Sequence, residues 1–163
     1  MYQVGHYGAS LAAYAPLGAS VAIAGHEAAA IVGGLLCVAL STLPDVDHQV
    51  PFLEHRGPTH TVLFALLVGA ALAAAAAILI DAASPLVDVA FVAFAFAVGV
   101  LSIVSHLLAD ALTPMGIRPF WPVSRRRYTV NVTPAKSPVA NYTLFVVGVG
   151  AVLAAGAVVI ATG

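Results

Sequence analysis

Five long apolar runs alternate with polar interruptions along this chain. The first covers about 8–25, is rich in alanine and glycine, and carries Pro16 near its middle. The others cover about 28–43, 61–80, 86–108 and 139–162. Their apolar residues are continuous rather than alternating, which reads as helix. In lipid only helices and closed barrels satisfy their own backbone. A spanning helix takes roughly 17–25 residues. The first two runs are near or below that length, and the third and fourth are long enough. The pattern predicts an all-α fold: one domain over 1–163, a polytopic membrane helix bundle with four or five spans.

The interruptions differ in kind. Gly25, His26 and Glu27 make a very short link, and 81–85 is a tight turn. The stretch 43–61, LPDVDHQVPFLEHRGPTHT, is densely polar, with Asp45, Asp47, Glu54, His48, His55, His60 and Arg56. The segment 110–138 holds Arg118, Arg125, Arg126, Arg127 and Lys136, five of the six Lys and Arg, and its prolines keep it irregular. If all five runs span, these two loops and His6 share one face, and concentrated Lys and Arg favour the cytoplasmic side. A re-entrant hairpin of the first two runs would bring the same groups together. If only one of those runs spans, His6 leaves the site. His26, Glu27 and the C-terminus are expected on the opposite face. No Lys or Arg precedes Leu11 and Pro16 interrupts the first run, so this segment is expected to be retained rather than cleaved.

Composition strengthens the membrane reading. The chain is 61% hydrophobic and 8% charged, where a soluble domain carries roughly 25% charged residues. So few charges cannot build a water-facing surface, and the expected surroundings are a lipid bilayer. No basic tract is long enough to suggest nucleic-acid binding. Cys37 is single and lies in an apolar run, so it reads as a small buried apolar residue. Phe120, Trp121 and Tyr128, mixed with Arg125–Arg127, suit the lipid headgroup level.

The polar residues carry the candidate chemistry. Pro44 ends the second run, which puts Asp45 and Asp47 at the membrane rim. In an extended segment the two would point the same way and could reach one metal, with His48 on the other face. His55 and His60 could bind metal or move protons, Arg56 could grip phosphate or carboxylate oxygens, and Thr59 could cap the third helix. His106 and Asp110, four apart on a helix, share a face, and ionisable residues in a membrane helix are usually functional. His6, just before the first helix, would supply a further imidazole. His26 and Glu27 read as a plain interfacial pair, and Ser105 faces away from the site. The candidate ligands are therefore His6, Asp45, Asp47, His60, His106 and Asp110, around a divalent ion such as Zn²⁺ or Mn²⁺. His55 is the candidate acid/base, and Arg56 would steady an anionic group.

Four of these pieces, taken in order, carry a family resemblance. His6, LPDVDH at 43–48, HRGPTH at 55–60 and HLLADALTPMG at 106–116, followed by RPFWP at 118–122, run through nearly the whole chain. In this pattern the chain resembles membrane-bound metal-dependent hydrolases also described as LexA-binding, inner-membrane-associated hydrolases. The resemblance implies metal-assisted hydrolysis at the membrane surface, centred on Asp45, Asp47, His60, His106 and Asp110. That family looks distantly similar to zinc-dependent phospholipase C, which would favour an anionic phosphoester substrate. His26 and Glu27 have no place in the pattern. Two other functions compete: a metal-ion or proton transporter, which needs the polar residues at mid-membrane depth, and a scaffold with a closed structural metal.

Overall fold

A computed structural model describes residues 1–51, 55–80 and 84–162. Five helices follow the five apolar runs: α1 (Gln3–Ile23), α2 (Glu27–Leu40), α3 (Val62–Leu79), α4 (Pro85–Ala111) and α5 (Pro138–Thr162). Short 3₁₀ turns lie at Leu43–Gln49 and Pro58–His60. Glu54 and most of the turn expected at 81–85 lie outside the described residues.

Local chemistry sets the boundaries. Gly25, at φ +83°, makes the reversal between α1 and α2 in a conformation that costs a side-chain-bearing residue. The Thr61 hydroxyl accepts the Phe64 N–H at 3.1 Å, so Thr61 caps α3 rather than Thr59. Pro85 occupies the first turn of α4, where its missing N–H costs no helical bond. The start of α1 lies earlier than the apolar run suggests, and His6 sits inside the helix instead of before it. Tertiary contact extends the helix there: the Tyr2 N–H, just before α1, donates to Asn141 Oδ1 on α5 at 2.9 Å. Pro16 removes one backbone bond, but α1 continues through it.

α1 and α4 form the middle of the bundle. α1 packs against α5, α2 and α4, and α4 packs against α3, α1 and α2. Close approach rests on glycine. A Cβ on Gly8 would collide with the Leu144 backbone, one on Gly148 with the Gly8 backbone, and one on Gly99 would sit 2.7 Å from the Gly69 Cα. Cys37 is fully buried beside Tyr14 and Val98, as its apolar setting predicts. Ile103 and Leu107 form a second apolar cluster with Ala65 and Ile117.

Four segments are long and apolar enough to cross a membrane: Glu27–Gln49, Val62–Leu79, Pro85–Ala111 and Pro138–Thr162. α1 is not among them, although its 21 residues would extend about 30 Å. Its neighbours explain the difference. α1 buries Gly5, His6, Gly8, Ser10 and Gly18 against other helices, whereas α5 buries only Asn141 and Gly148. A helix shielded by protein needs fewer large apolar side chains.

After α4 the chain folds back on itself. Ile117 and Tyr128 exchange backbone hydrogen bonds at 2.9 and 2.8 Å, and Val130 and Val132 donate to the carbonyls of Ala111 and Leu112, each at 2.8 Å. These bonds satisfy carbonyls at the end of α4. Phe120 and Tyr128 remain exposed and meet edge to face.

Gly99→Leu is expected to force α3 away from α4 and destabilise the protein by about 1–3 kcal/mol. Gly156→Ala, where an added Cβ meets nothing within 4 Å, should be neutral or slightly stabilising. Thermal unfolding in detergent, followed by loss of the monodisperse species, separates the two.

Candidate metal centre

Four elements converge at one end of the bundle. α1 brings His6, the turn after α2 brings Asp45 and Asp47, the turn before α3 brings His60, and the last two turns of α4 bring His106 and Asp110. His6, His60 and His106 are fully buried, and Asp110 is 1% exposed. The Asp45 side chain, 26% exposed, is the most open of the group.

The tautomers of two imidazoles follow from their outer partners. His106 Nδ1 lies 2.7 Å from the Ser41 carbonyl. A carbonyl can only accept, so Nδ1 carries the proton and Nε2 turns a lone pair inward. His60 Nδ1 lies 3.1 Å from the Thr59 hydroxyl, whose own proton goes to Asp47 Oδ2, so His60 Nδ1 is the donor and carries the proton; Asp47 Oδ2 stands 3.3 Å from the same nitrogen. The two Nε2 atoms then stand 3.1 Å apart with lone pairs facing each other. Asp45 Oδ1 lies 3.5 Å from His60 Nε2 and 3.6 Å from His106 Nε2. Asp110 Oδ2 lies 3.6 and 3.7 Å from the same atoms. His6 stacks on His106 with ring centroids 3.8 Å apart. Its Nε2 reaches within 3.8 Å of Asp45 and 3.7 Å of Asp110.

This arrangement fits a divalent cation. Among the described residues, Asp110 Oδ2 and both ring nitrogens of His6 are buried without a hydrogen-bond partner, and such orphans are rare in a folded interior. Two overlapping groups, His6 with Asp45 and His106, and His60 with His106 and Asp110, each bring three donor atoms within 4.8 Å of one another. Atoms bound about 2.0–2.2 Å from a common ion stand about 3–3.5 Å apart, close to the spacings here.

Asp47 has a different place from the one its spacing suggested. Residues 43–49 form a 3₁₀ turn instead of an extended strand. At three residues per turn, positions two apart diverge by about 120° and positions three apart align. Asp45 therefore meets the inner nitrogen of His60 while Asp47 holds its outer one. Asp47 also accepts the Arg56 N–H and the Thr59 hydroxyl on Oδ2, each at 3.1 Å. A carboxylate behind a ligating imidazole fixes the ring's orientation and raises its basicity.

His55 and Arg56 occupy contrasting settings. His55 lies at the solvent edge, with Nδ1 3.1 Å from Asp47 Oδ1. Arg56 is 7% exposed and takes a left-handed backbone at φ +61°. Its guanidinium pairs with Asp110 Oδ1 at 2.8 Å and donates to Thr113 Oγ1 and the Gly116 carbonyl at 3.0 and 2.9 Å. The Met1 amine reaches the same Asp110 oxygen at 2.8 Å. Oδ1 is thus committed to cations, with His6 also nearest to it, and Oδ2 is left to face His60 and His106.

Sequence reasoning overlooked Ser41, Thr113 and Asn141. Ser41 acts through its carbonyl, which no side-chain pattern reveals. Thr113 lies within the quoted 106–116 motif, and its hydroxyl donates to the Asp110 carbonyl at 2.8 Å. His26 packs edge-on against Phe91 near the start of α4, away from the cluster, and Ser105 donates to Ser102 within α4.

The fold and the buried donor set define a multi-pass helical membrane protein with a candidate metal centre at one end of its bundle. No curated protein and no solved structure matches the chain. The chain belongs to the YdjM inner membrane protein family, whose sequence model matches residues 1–162.

Arg56→Met leaves Asp110 with one fewer buried counter-charge and should cost about 3 kcal/mol. Combining it with Asp110→Asn should recover part of that loss. A double-mutant cycle by thermal unfolding in detergent measures the coupling.

Proposed function

We propose that this protein is a membrane-bound metal-dependent hydrolase acting on a phosphoester or lipid-linked substrate at the cytoplasmic membrane face. The observation that carries the reading is the pair of inward lone pairs on His60 and His106, 3.1 Å apart and flanked by two carboxylates. The hydrolase assignment follows the motif resemblance, and the cytoplasmic orientation follows the basic loop over 110–138.

His6, Asp45, His60, His106 and Asp110 would hold the ion, with zinc first and manganese second on donor chemistry. A bound divalent cation acidifies water toward a pKa of ~7 and polarises the bond to be broken. Asp47 orients His60 and keeps its Nε2 unprotonated. Asp45 is the ligand nearest solvent, so an incoming substrate meets the cluster beside it. His55 keeps Nε2, on the far side of its ring from Asp47, for proton transfer to or from substrate. Arg56 was expected to grip an anion. Its guanidinium already serves Asp110, Thr113 and Gly116, so we assign it to positioning Asp110. The site's place at helix ends, rather than mid-helix, favours hydrolysis at the rim over ion conduction.

Metal analysis of detergent-purified protein, followed by a screen of phosphoester and phospholipid substrates with and without chelator, tests the proposal. Chelator-sensitive hydrolysis, lost in Asp45→Asn and His106→Ala together with the metal, is the expected result. Asp47→Asn should retain the ion with affinity weakened about 10–100-fold. Full metal occupancy in His106→Ala would overturn the ligand assignment.

A further inference from the structure

A second group of donors lies outside the buried cluster. His48 Nδ1 and His55 Nδ1 both aim at Asp47 Oδ1, at 3.0 and 3.1 Å. Their rings stand 3.8 Å apart between centroids and 56° from parallel. His48 Nδ1 is also 3.2 Å from the Asp45 carbonyl oxygen. The side chains are 56% and 33% exposed, whereas the carboxylate between them is buried.

The division of labour on Asp47 singles this group out. Oδ2 takes the Arg56 N–H, the Thr59 hydroxyl and the inner histidine. Among the described residues, Oδ1 has the two outer imidazoles as its partners. Two ring nitrogens and one carboxylate oxygen, with one side toward water, are the ligand set of an open zinc site: protein atoms fill part of the coordination shell and solvent completes it. Sequence places these donors well. The 3₁₀ turn swings His48 back under Asp45, and the left-handed Arg56 turns the chain so that His55 meets His48 across Asp47.

We propose that Asp47, His48 and His55 form a second, solvent-exchangeable site for a zinc-like divalent cation. Its Oδ1, Nδ1 and Nδ1 donors are separate from those of the buried centre. Asp47 and the His60 ring connect the two sites, so charge bound outside is felt by an inner ligand. A cation here would also fasten the 43–49 turn to the segment beginning at His55, holding the two halves of the polar loop together over the buried cluster.

The inference stands on residues other than the inner ligands, and stoichiometry separates the two. Full-length protein without a polyhistidine tag is purified in detergent, stripped, and equilibrated with Zn²⁺ alone, and bound zinc is counted per chain. Two ions are expected in the wild type, one of them leaving readily to a weak chelator. His48→Ala/His55→Ala should bind one tightly held ion, and His106→Ala should keep the exchangeable one. One ion in the wild type, lost in His106→Ala and kept in the double variant, would sink the outer site and leave the inner one standing. One ion with the reverse behaviour would remove the inner site and uphold the outer. Two ions in the double variant would place the second elsewhere and overturn the proposal.

Discussion

An apolar bundle that buries three imidazoles and two carboxylates at one end has to neutralise them. Burying a charge or a lone pair without a partner is among the most expensive things a fold can do. Nearly every polar feature at that end of the molecule answers this requirement. Arg56 and the Met1 amine face one oxygen of Asp110. The Ser41 carbonyl takes the outer proton of His106, and the Thr59 hydroxyl, itself bonded to Asp47, takes that of His60. What these partners leave unmatched is a single focus of inward-pointing acceptors, and this residue of negative potential defines the site.

The helices can then be understood as a frame for that focus. α4 carries two of the inner donors one turn apart. α1 contributes a third imidazole, and glycine contacts between α1 and α5 and between α3 and α4 hold the backbones close. Arg56 illustrates the coupling of backbone to site. Its left-handed conformation costs about 1–2 kcal/mol, and the same turn sends the guanidinium inward to Asp110, Thr113 and Gly116 while the N–H meets Asp47. A loop without those four contacts would have no reason to hold it.

Much of this was legible in the sequence, because the physics involved is periodic or compositional. Continuous apolar runs and a shortage of charge gave the helices and the membrane class. Polar residues in hydrophobic surroundings marked His6, Asp45, Asp47, His60, His106 and Asp110, and all six meet in the structure. The less legible parts depend on local geometry that spacing leaves open. Asp45 and Asp47 would share a face in a strand but diverge in a 3₁₀ turn, so one faces the inner acceptors and the other supports from behind. Arg56 read as an anion grip from its side chain alone, and nothing in HRGPTH shows that Asp110 and Thr113 will come to meet it. The start of α1 was placed too late because Asn141, far along the chain, secures it.

That last contact bears on how the molecule is made. The donors around the inner focus all lie before the end of α4, yet α1 rests on α5 as well as on α2 and α4, and α5 follows every one of those donors in the chain. His6, stacked on His106, is thus steadied partly by a helix synthesised after every other donor is in place along the chain. A chain stopped before α5 would lack the Asn141 anchor at Tyr2, and its first imidazole would depend on α2 and α4 alone.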